Sequence, residues 1–193
     1  MKFVEPIRSK NDLKKIKKAL KRSNQRDYIL FLFGINTGLR VSDILALDIK
    51  DVKSKDCVVL RERKTKKIKQ ILLNSKLKKA IQKFVGDERD ETKPLFTTKF
   101  GNRMDRIQAY RIIKKVCKEV NPSLNVGTHT MRKTFAYHHY KRFKDIVILQ
   151  KILNHSSPTI TLKYIGIEQD EINRFYKKFS LWEFIQHNCY YVA

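Results

Sequence analysis

The sequence is poor in the residues that build linkers and cross-links: its 193 residues include six Gly, four Pro and three Cys. The Gly and Pro lie between stretches of regular hydrophobic spacing, and no internal repeat or low-complexity tract interrupts them, so one continuous domain is expected. Cys57, Cys117 and Cys189 are scattered, odd in number and without paired spacing, which supports neither a disulfide framework nor a thiolate metal site. No apolar run approaches the roughly 20 residues of a spanning helix. The opening MKFVEPIRSK lacks a signal-peptide apolar core, so an intracellular protein with no membrane partner is expected. A Gly-rich nucleotide loop, an HExxH zinc helix and a GxSxG elbow are also missing, which removes the common cofactor and hydrolase signatures. The other scarcity is acid: 19 Asp+Glu stand against 43 Lys+Arg, a formal net charge of +24. Such a chain repels itself unless something acidic lies against it, and a polyphosphate is the natural partner. Charge alone does not single out nucleic acid, because a Lys-rich surface also serves solubility.

What is present is enough apolar material for a core, with 41% hydrophobic and 10% aromatic residues. From Asn11 to Leu20, the residues Leu13, Ile16, Ala19 and Leu20 recur on one helical face with lysines opposite. Asp27 to Ile35 reads as an apolar helix ending near Asn36-Thr37-Gly38, and Ser42 has the character of an N-cap for a helix over Asp43 to Leu47. The period then changes. Cys57 to Arg61 and Ile68 to Leu73 are strand-like runs joined by Arg63-Lys64-Thr65-Lys66-Lys67, which predicts a β-hairpin with a basic tip. Helical spacing covers Ser75 to Val85, Asp105 to Val120, Thr128 to Arg142, Asp145 to Leu153, Pro158 to Tyr164 and Glu168 to Phe179. Pro94-Leu95-Phe96 reads as a short buried segment before a turn at Gly101-Asn102. The expected fold class is mainly α with a small antiparallel β-sheet (α+β).

Four short segments carry candidate chemistry. In Gly38-Leu39-Arg40-Val41-Ser42-Asp43, a turn delivers Arg40 just before a short helix. A guanidinium offers a fixed fork of donors that suits two nonbridging phosphate oxygens, whereas an ammonium is a point charge. His129 and Arg132, three residues apart at a helix start, share a face and can serve one site. Leu153-Asn154-His155-Ser156-Ser157-Pro158 closes one helix and opens another, and Tyr164 follows His155 by nine residues, so the two side chains can converge. Taken singly, each has a plainer reading: a solvated arginine, a satisfied histidine, a core tyrosine.

In order and in combination, these residues resemble the tyrosine recombinases or phage integrases, whose catalytic domains carry an Arg, a hairpin Lys, a His-x-x-Arg, a later His or Trp, and a Tyr. Arg40 matches the first position, Lys64 the hairpin lysine, His129 and Arg132 the pair, His155 the later His, and Tyr164 the nucleophile. The resemblance runs from near Pro6 to about Phe179. Asn154 stands where the family commonly has glycine, a tolerable change if the residue is left-handed.

The resemblance implies the tyrosine recombinase catalytic-domain fold over residues 1–179, and a C-terminal tail over 180–193 able to dock on a neighbouring protomer. It implies no N-terminal core-binding domain in this chain, since the sequence begins close to where the family's catalytic domain begins. The implied activity is site-specific DNA recombination through a 3′-phosphotyrosyl intermediate, for integration or excision within a mobile element, with no metal, ATP or cofactor. Arg40 and Arg132 would grip the nonbridging oxygens and His155 would add a hydrogen bond. Lys64 on a mobile hairpin tip would protonate the leaving oxygen, His129 would assist proton transfer from Tyr164, and Asp43 would support Arg40 or His129. The implied partners are double-stranded DNA at a specific site, a homotetramer on it and accessory DNA-bending proteins. The address would be a bacterial or phage-encoded protein at the cytoplasmic nucleoid. Lys66, Lys67, Arg103 and Arg106 are expected nearer the duplex than the lysine-rich first helix. Two other readings compete: a noncatalytic DNA-binding module of the same fold, although none of its six positions has decayed, and a type IB topoisomerase, whose boxes are spaced differently.

Overall fold

The computed structural model describes residues 4–166 and 168–179. Nine α-helices, a short 3-10 helix over Ile49–Asp51 and one two-stranded sheet are formed among them, as the mainly α expectation requires: α1 (Lys10–Ser23), α2 (Gln25–Thr37), α3 (Val41–Ile44), β1 (Cys57–Arg61), β2 (Ile68–Leu72), α4 (Ser75–Val85), α5 (Arg106–Val120), α6 (Thr130–Phe143), α7 (Ile146–Leu153), α8 (Pro158–Ile165) and α9 (Glu168–Lys178). Short polar residues start most of them. Ser9, Asn24, Asn74, Asp105, Asp145 and Ser157 each accept a hydrogen bond from the backbone N–H three residues on, which satisfies a donor that the first helical turn leaves open.

Helix α2 is the hub. Ile29, Leu30, Phe31 and Phe33 are fully buried, and α2 packs against α1, α3, α4, α5 and α6. Its approach to α6 is close because Gly34 has no side chain; a Cβ there would stand 2.7 Å from Met131 Sδ. The apolar residues form two clusters. The larger gathers α1 to α5 with Val58, Leu95 and Phe96, the latter two from the short buried segment. The smaller joins Ala136 and Tyr140 of α6 to Leu149 and Leu153 of α7 and Ile165 of α8.

At the start of α3 the expectation is corrected. Arg40, not Ser42, is the N-cap, and the helix spans Val41–Ile44 rather than Asp43 to Leu47. The reason is upstream: Gly38 ends α2 in the left-handed region (φ 64), so only Leu39 and Arg40 remain before the next turn closes with Asp43 N and Ile44 N both donating to Arg40 O. Gly38 cannot be exchanged cheaply, because a Cβ would lie 2.4 Å from Phe135 Cδ1 in a backbone conformation that already disfavours one. Gly38→Ala is expected to destabilise the fold by about 2 kcal/mol or more, read as a shift of the urea unfolding midpoint.

Within the hairpin, β1 and β2 pair antiparallel with Val58 opposite Ile71 and Leu60 opposite Lys69. Strand parity therefore puts Val58, Leu60, Lys69 and Ile71 on the face toward the protein, while Val59, Ile68 and Leu72 are exposed. At the other end of the chain, Ile172, Tyr176 and Phe179 are exposed. The expected docking tail over 180–193, which contains Leu181, Trp182, Phe184 and Ile185, lies outside the described residues.

Candidate active site

The site forms where the C-terminus of α2, the hairpin, the start of α6 and the turn between α7 and α8 meet. Arg40 enters from the α2–α3 turn, with its Nη1 3.0 Å from Glu62 Oε1 and 3.9 Å from Asp43 Oδ2. Asp43 also accepts the Arg63 backbone N–H at 3.0 Å, so it supports Arg40 and the hairpin tip together. These contacts are ionic rather than aligned: Arg40 Nη1, Asp43 Oδ2 and Glu62 Oε1 are buried without a hydrogen bond of full geometry among the described residues.

Arg132, on the first turn of α6, is 3% exposed and joins the two halves of the protein. Its Nη1 donates to Gly38 O at 2.6 Å and its Nη2 to Leu153 O. Two of its five N–H donors are thereby used to hold the group in place, and the others remain for a ligand. His129 is the N-cap residue of the same helix. Burial, followed by the charges of Arg132, Arg40, Lys133 and Lys64, holds its imidazole below the ordinary histidine value, so the ring is neutral at pH 7.

Asn154 ends α7 with φ 52 and ψ 50, the left-handed geometry that its place before His155 calls for. Its side chain adds a bond that glycine could not make, Nδ2 to Glu62 Oε2 at 3.1 Å. His155 follows, oriented by Thr161 Oγ1 at 3.0 Å from its Nδ1. Burial and the nearby Arg132, Arg40 and Lys69 lower its pKa to about 4. Tyr164, on the last turn of α8, meets His155 edge-to-face at 5.0 Å between ring centroids and His129 at 6.4 Å. Its hydroxyl is buried and makes no aligned hydrogen bond among the described residues, although Arg132 lies beside it. Burial raises the phenol above its ordinary value while Arg132 and Arg40 pull it down.

Lys64 is exposed at the hairpin tip, close enough to His129 to act on its charge. The tip itself is tethered on both sides of Lys64: Arg63 N donates to Asp43, and Thr65 Oγ1 donates to Glu62 Oε2 at 2.5 Å. Lys66 (φ 60) and Lys67 are exposed on the same tip, and Arg106 is exposed at the start of α5. Arg103, expected near the duplex, has its guanidinium engaged internally, with Leu45 O, Leu47 O and Asp48 Oδ1.

Four residues of the site have no counterpart in the sequence reading. Glu62 is 1% exposed and contacts Arg40, Thr65, Asn154 and Lys69. Lys69 reaches Ile152 O, and its burial, with Arg132 close by, lowers its pKa to about 8. Lys133 Nζ lies 4.9 Å over the Tyr164 ring, a cation–π contact. Thr161 holds His155. Only the first two carried a usable signal, because residues two positions beyond Leu60 and opposite it across the hairpin share its inward face.

Residues 8–171 match the model of the phage integrase family. The probable integrase/recombinase YoeC of Bacillus subtilis (strain 168) is 46% identical over 180 residues, covering 93% of this chain and 99% of that protein. The tyrosine recombinase XerA of Pyrococcus horikoshii is 31% identical over 166 residues, covering 84% of this chain and 58% of that one. The chain thus spans nearly all of the first relative but little more than half of the second. Among solved structures, the XerA recombinase matches with a TM-score of 0.74 at 23% identity over 91% of this chain and 66% of that one. A lambda integrase (75–356) dimer bound to a COC′ core site matches at 0.69 and 18% identity, over 86% and 60%. These two share the fold described above. With the family model covering most of its length and a relative of similar size at this identity, the chain belongs to the phage integrase family, the tyrosine-type site-specific recombinases.

Proposed function

We propose that this chain cuts and rejoins DNA strands at a specific site through a 3′-phosphotyrosyl link on Tyr164. The observation that carries the proposal is the Tyr164 hydroxyl: buried, without an aligned partner among the described residues, and set among Arg132, Arg40, His155 and His129. Buried polar groups in folded proteins are nearly always paired, so an unpaired phenol beside two guanidinium groups is a group held ready for a ligand. A phosphodiester supplies what the cluster lacks, an anion with several acceptor oxygens.

In the proposed reaction Tyr164 Oη bonds to phosphorus, and the bond from phosphorus to the 5′ oxygen breaks. The phenolic proton passes to His129, which is neutral and so able to take it. The N–H donors of Arg40 and Arg132 that remain free offset charge growing on the nonbridging oxygens, and His155 adds a further contact. Lys64 gives a proton to the departing 5′ oxygen. A 5′ hydroxyl from the same strand or a partner strand then reverses each transfer, so the reaction invokes no metal, cofactor or nucleotide hydrolysis.

Relatives of known structure support DNA as the partner: the lambda integrase dimer is described as bound to a core site. Lys66, Lys67 and Arg106 are the proposed phosphate contacts beyond the site, while Arg103 contributes charge from a structural position. The same proposal takes residues 1–179 as the catalytic domain, with assembly into a tetramer on DNA through residues 180–193, accessory DNA-bending proteins, and a cytoplasmic, nucleoid-associated address. No helix among the described residues is long and apolar enough to cross a membrane.

The test is covalent capture. Incubated with EDTA and a pool of nicked duplexes of randomised sequence, the protein is expected to yield a denaturant-resistant adduct whose DNA converges on one sequence and whose peptide contains Tyr164. An adduct on another residue, or noncovalent binding alone, would remove the proposed chemistry and leave a DNA-binding module of the same fold.

A further inference from the structure

Glu62 and Lys69 flank the hairpin tip, on the strand parity that faces the protein, and both place charge where a small fold ordinarily puts an apolar side chain. Taking a carboxylate and an ammonium out of water is costly unless each gains several partners. Here the partners come from three separate active-site segments. Glu62 Oε1 lies 3.0 Å from Arg40 Nη1 and 3.9 Å from Lys69 Nζ, while Oε2 accepts from Thr65 Oγ1 at 2.5 Å and from Asn154 Nδ2 at 3.1 Å. Lys69 Nζ donates to Ile152 O, and Arg132 takes the next carbonyl, Leu153 O. Both cations therefore sit on the last carbonyls of α7, one turn before His155, where the helix end carries partial negative charge. The tip is closed through Glu62 as well, with its N–H donating to Lys67 O and its carbonyl accepting from Lys66 N, each at 2.9 Å.

We propose that Glu62 and Lys69 form a buried clasp that seats the hairpin against the Arg40 and His155 segments and thereby sets where Lys64 stands at the scissile phosphate. Both are positioning residues: they act through Lys64, and the inference rests on Lys64 being the proton donor. Without the clasp, Lys64 would remain on the surface but lose the register that Thr65 and Arg63 give it. The groups facing Lys69 are Glu62 on the hairpin, Arg40 and Asp43 at the α2–α3 turn, Arg132 on α6 and His155 after α7.

Within the clasp, Lys69 carries a desolvation cost as a cation. A lysine whose folded-state value is lowered to about 8 is disfavoured as a cation in the folded state. That penalty is fully present below about pH 8 and disappears only as pH rises through the unfolded value near 10.5. Lys69→Met removes this cost but also takes a partner from Ile152 O and from the buried Glu62, so the thermal midpoint at pH 7 is expected to fall.

The deciding measurement is a leaving-group rescue. Single-turnover cleavage is compared on the duplex recovered by covalent capture and on the same duplex with sulfur replacing the scissile 5′ oxygen. A thiolate leaves without a proton, so loss of a general acid, or of what positions it, is forgiven on sulfur. On the oxygen substrate we expect Lys64→Ala to slow cleavage by about a hundredfold or more, and Lys69→Met and Glu62→Gln by about tenfold or more. All three are expected to return to within about threefold of the unaltered protein on sulfur, and Lys64→Ala with Lys69→Met should be no slower than Lys64→Ala alone. If Lys64→Ala is restored by sulfur while the two clasp variants stay slow on both substrates, or are slow on neither, the clasp is wrong and the proton donor stands. If Lys64→Ala is not restored, the donor assignment fails and the clasp fails with it.

Discussion

Tyr164→Phe is expected to bind site DNA with the affinity of the unaltered protein and to form no covalent adduct at all. The substitution removes one oxygen and nothing else. The ring keeps its edge-to-face contact with His155, its approach to His129 and the Lys133 ammonium over its face. The lost hydroxyl is buried and has no aligned hydrogen bond among the described residues, with the Arg132 guanidinium beside it, so its removal exchanges a desolvated polar group for one weak contact. The variant should therefore stay within about 1 kcal/mol of its parent, measured by urea unfolding. A larger loss of stability on this change would mean the hydroxyl is a structural partner, and a surviving adduct would move the nucleophile elsewhere.

Arg132→Lys carries the next largest effect, for a reason that charge alone does not supply. The ammonium keeps the positive charge, but one flexible point donor cannot hold Gly38 O, Leu153 O and two phosphate oxygens together, as a planar fork can. Adduct formation is expected to fall about a thousandfold, in line with removing a preorganised donor from a developing oxyanion. Stability should fall as well, by about 1–3 kcal/mol, because at 3% exposure one carbonyl is left buried and unpaired. Cleavage within tenfold of the parent would show that Arg132 holds the fold and not the phosphate.

The two arginines illustrate how different parts of the site became legible. Arg40, His129, Arg132, His155 and Tyr164 lie in short boxes, and their order along the chain, together with the turn and helix signals around them, carries the information. The hairpin was readable for the same reason, since its strand runs and polar tip are local. Strand parity put Glu62 and Lys69 on the inward face, but it gave no sign of what they would meet there. Their partners lie far along the chain, 92 residues from Glu62 to Asn154 and 83 from Lys69 to Ile152. A charged residue in an exposed basic tip and one on a buried strand face look alike until the opposing segment is present. Arg103 is a similar case, since the Leu45, Leu47 and Asp48 oxygens that its guanidinium meets lie 55 or more residues before it in the chain.

The scarcities with which the chain is marked, in glycine, proline, cysteine and acid, pointed to a continuous domain and an anionic partner as expectations, because composition sums over residues and needs no geometry. Helix periods, caps and the left-handed Asn154 were likewise local consequences of residue type and spacing. Tertiary structure decided the rest: which arginine cements two apolar clusters, which lysine is part-buried between arginines and carboxylates, and which carboxylate joins the hairpin to both halves of the site. Those are questions of burial and of contacts between distant segments, and a buried charge acquires its meaning only from the groups that fold around it.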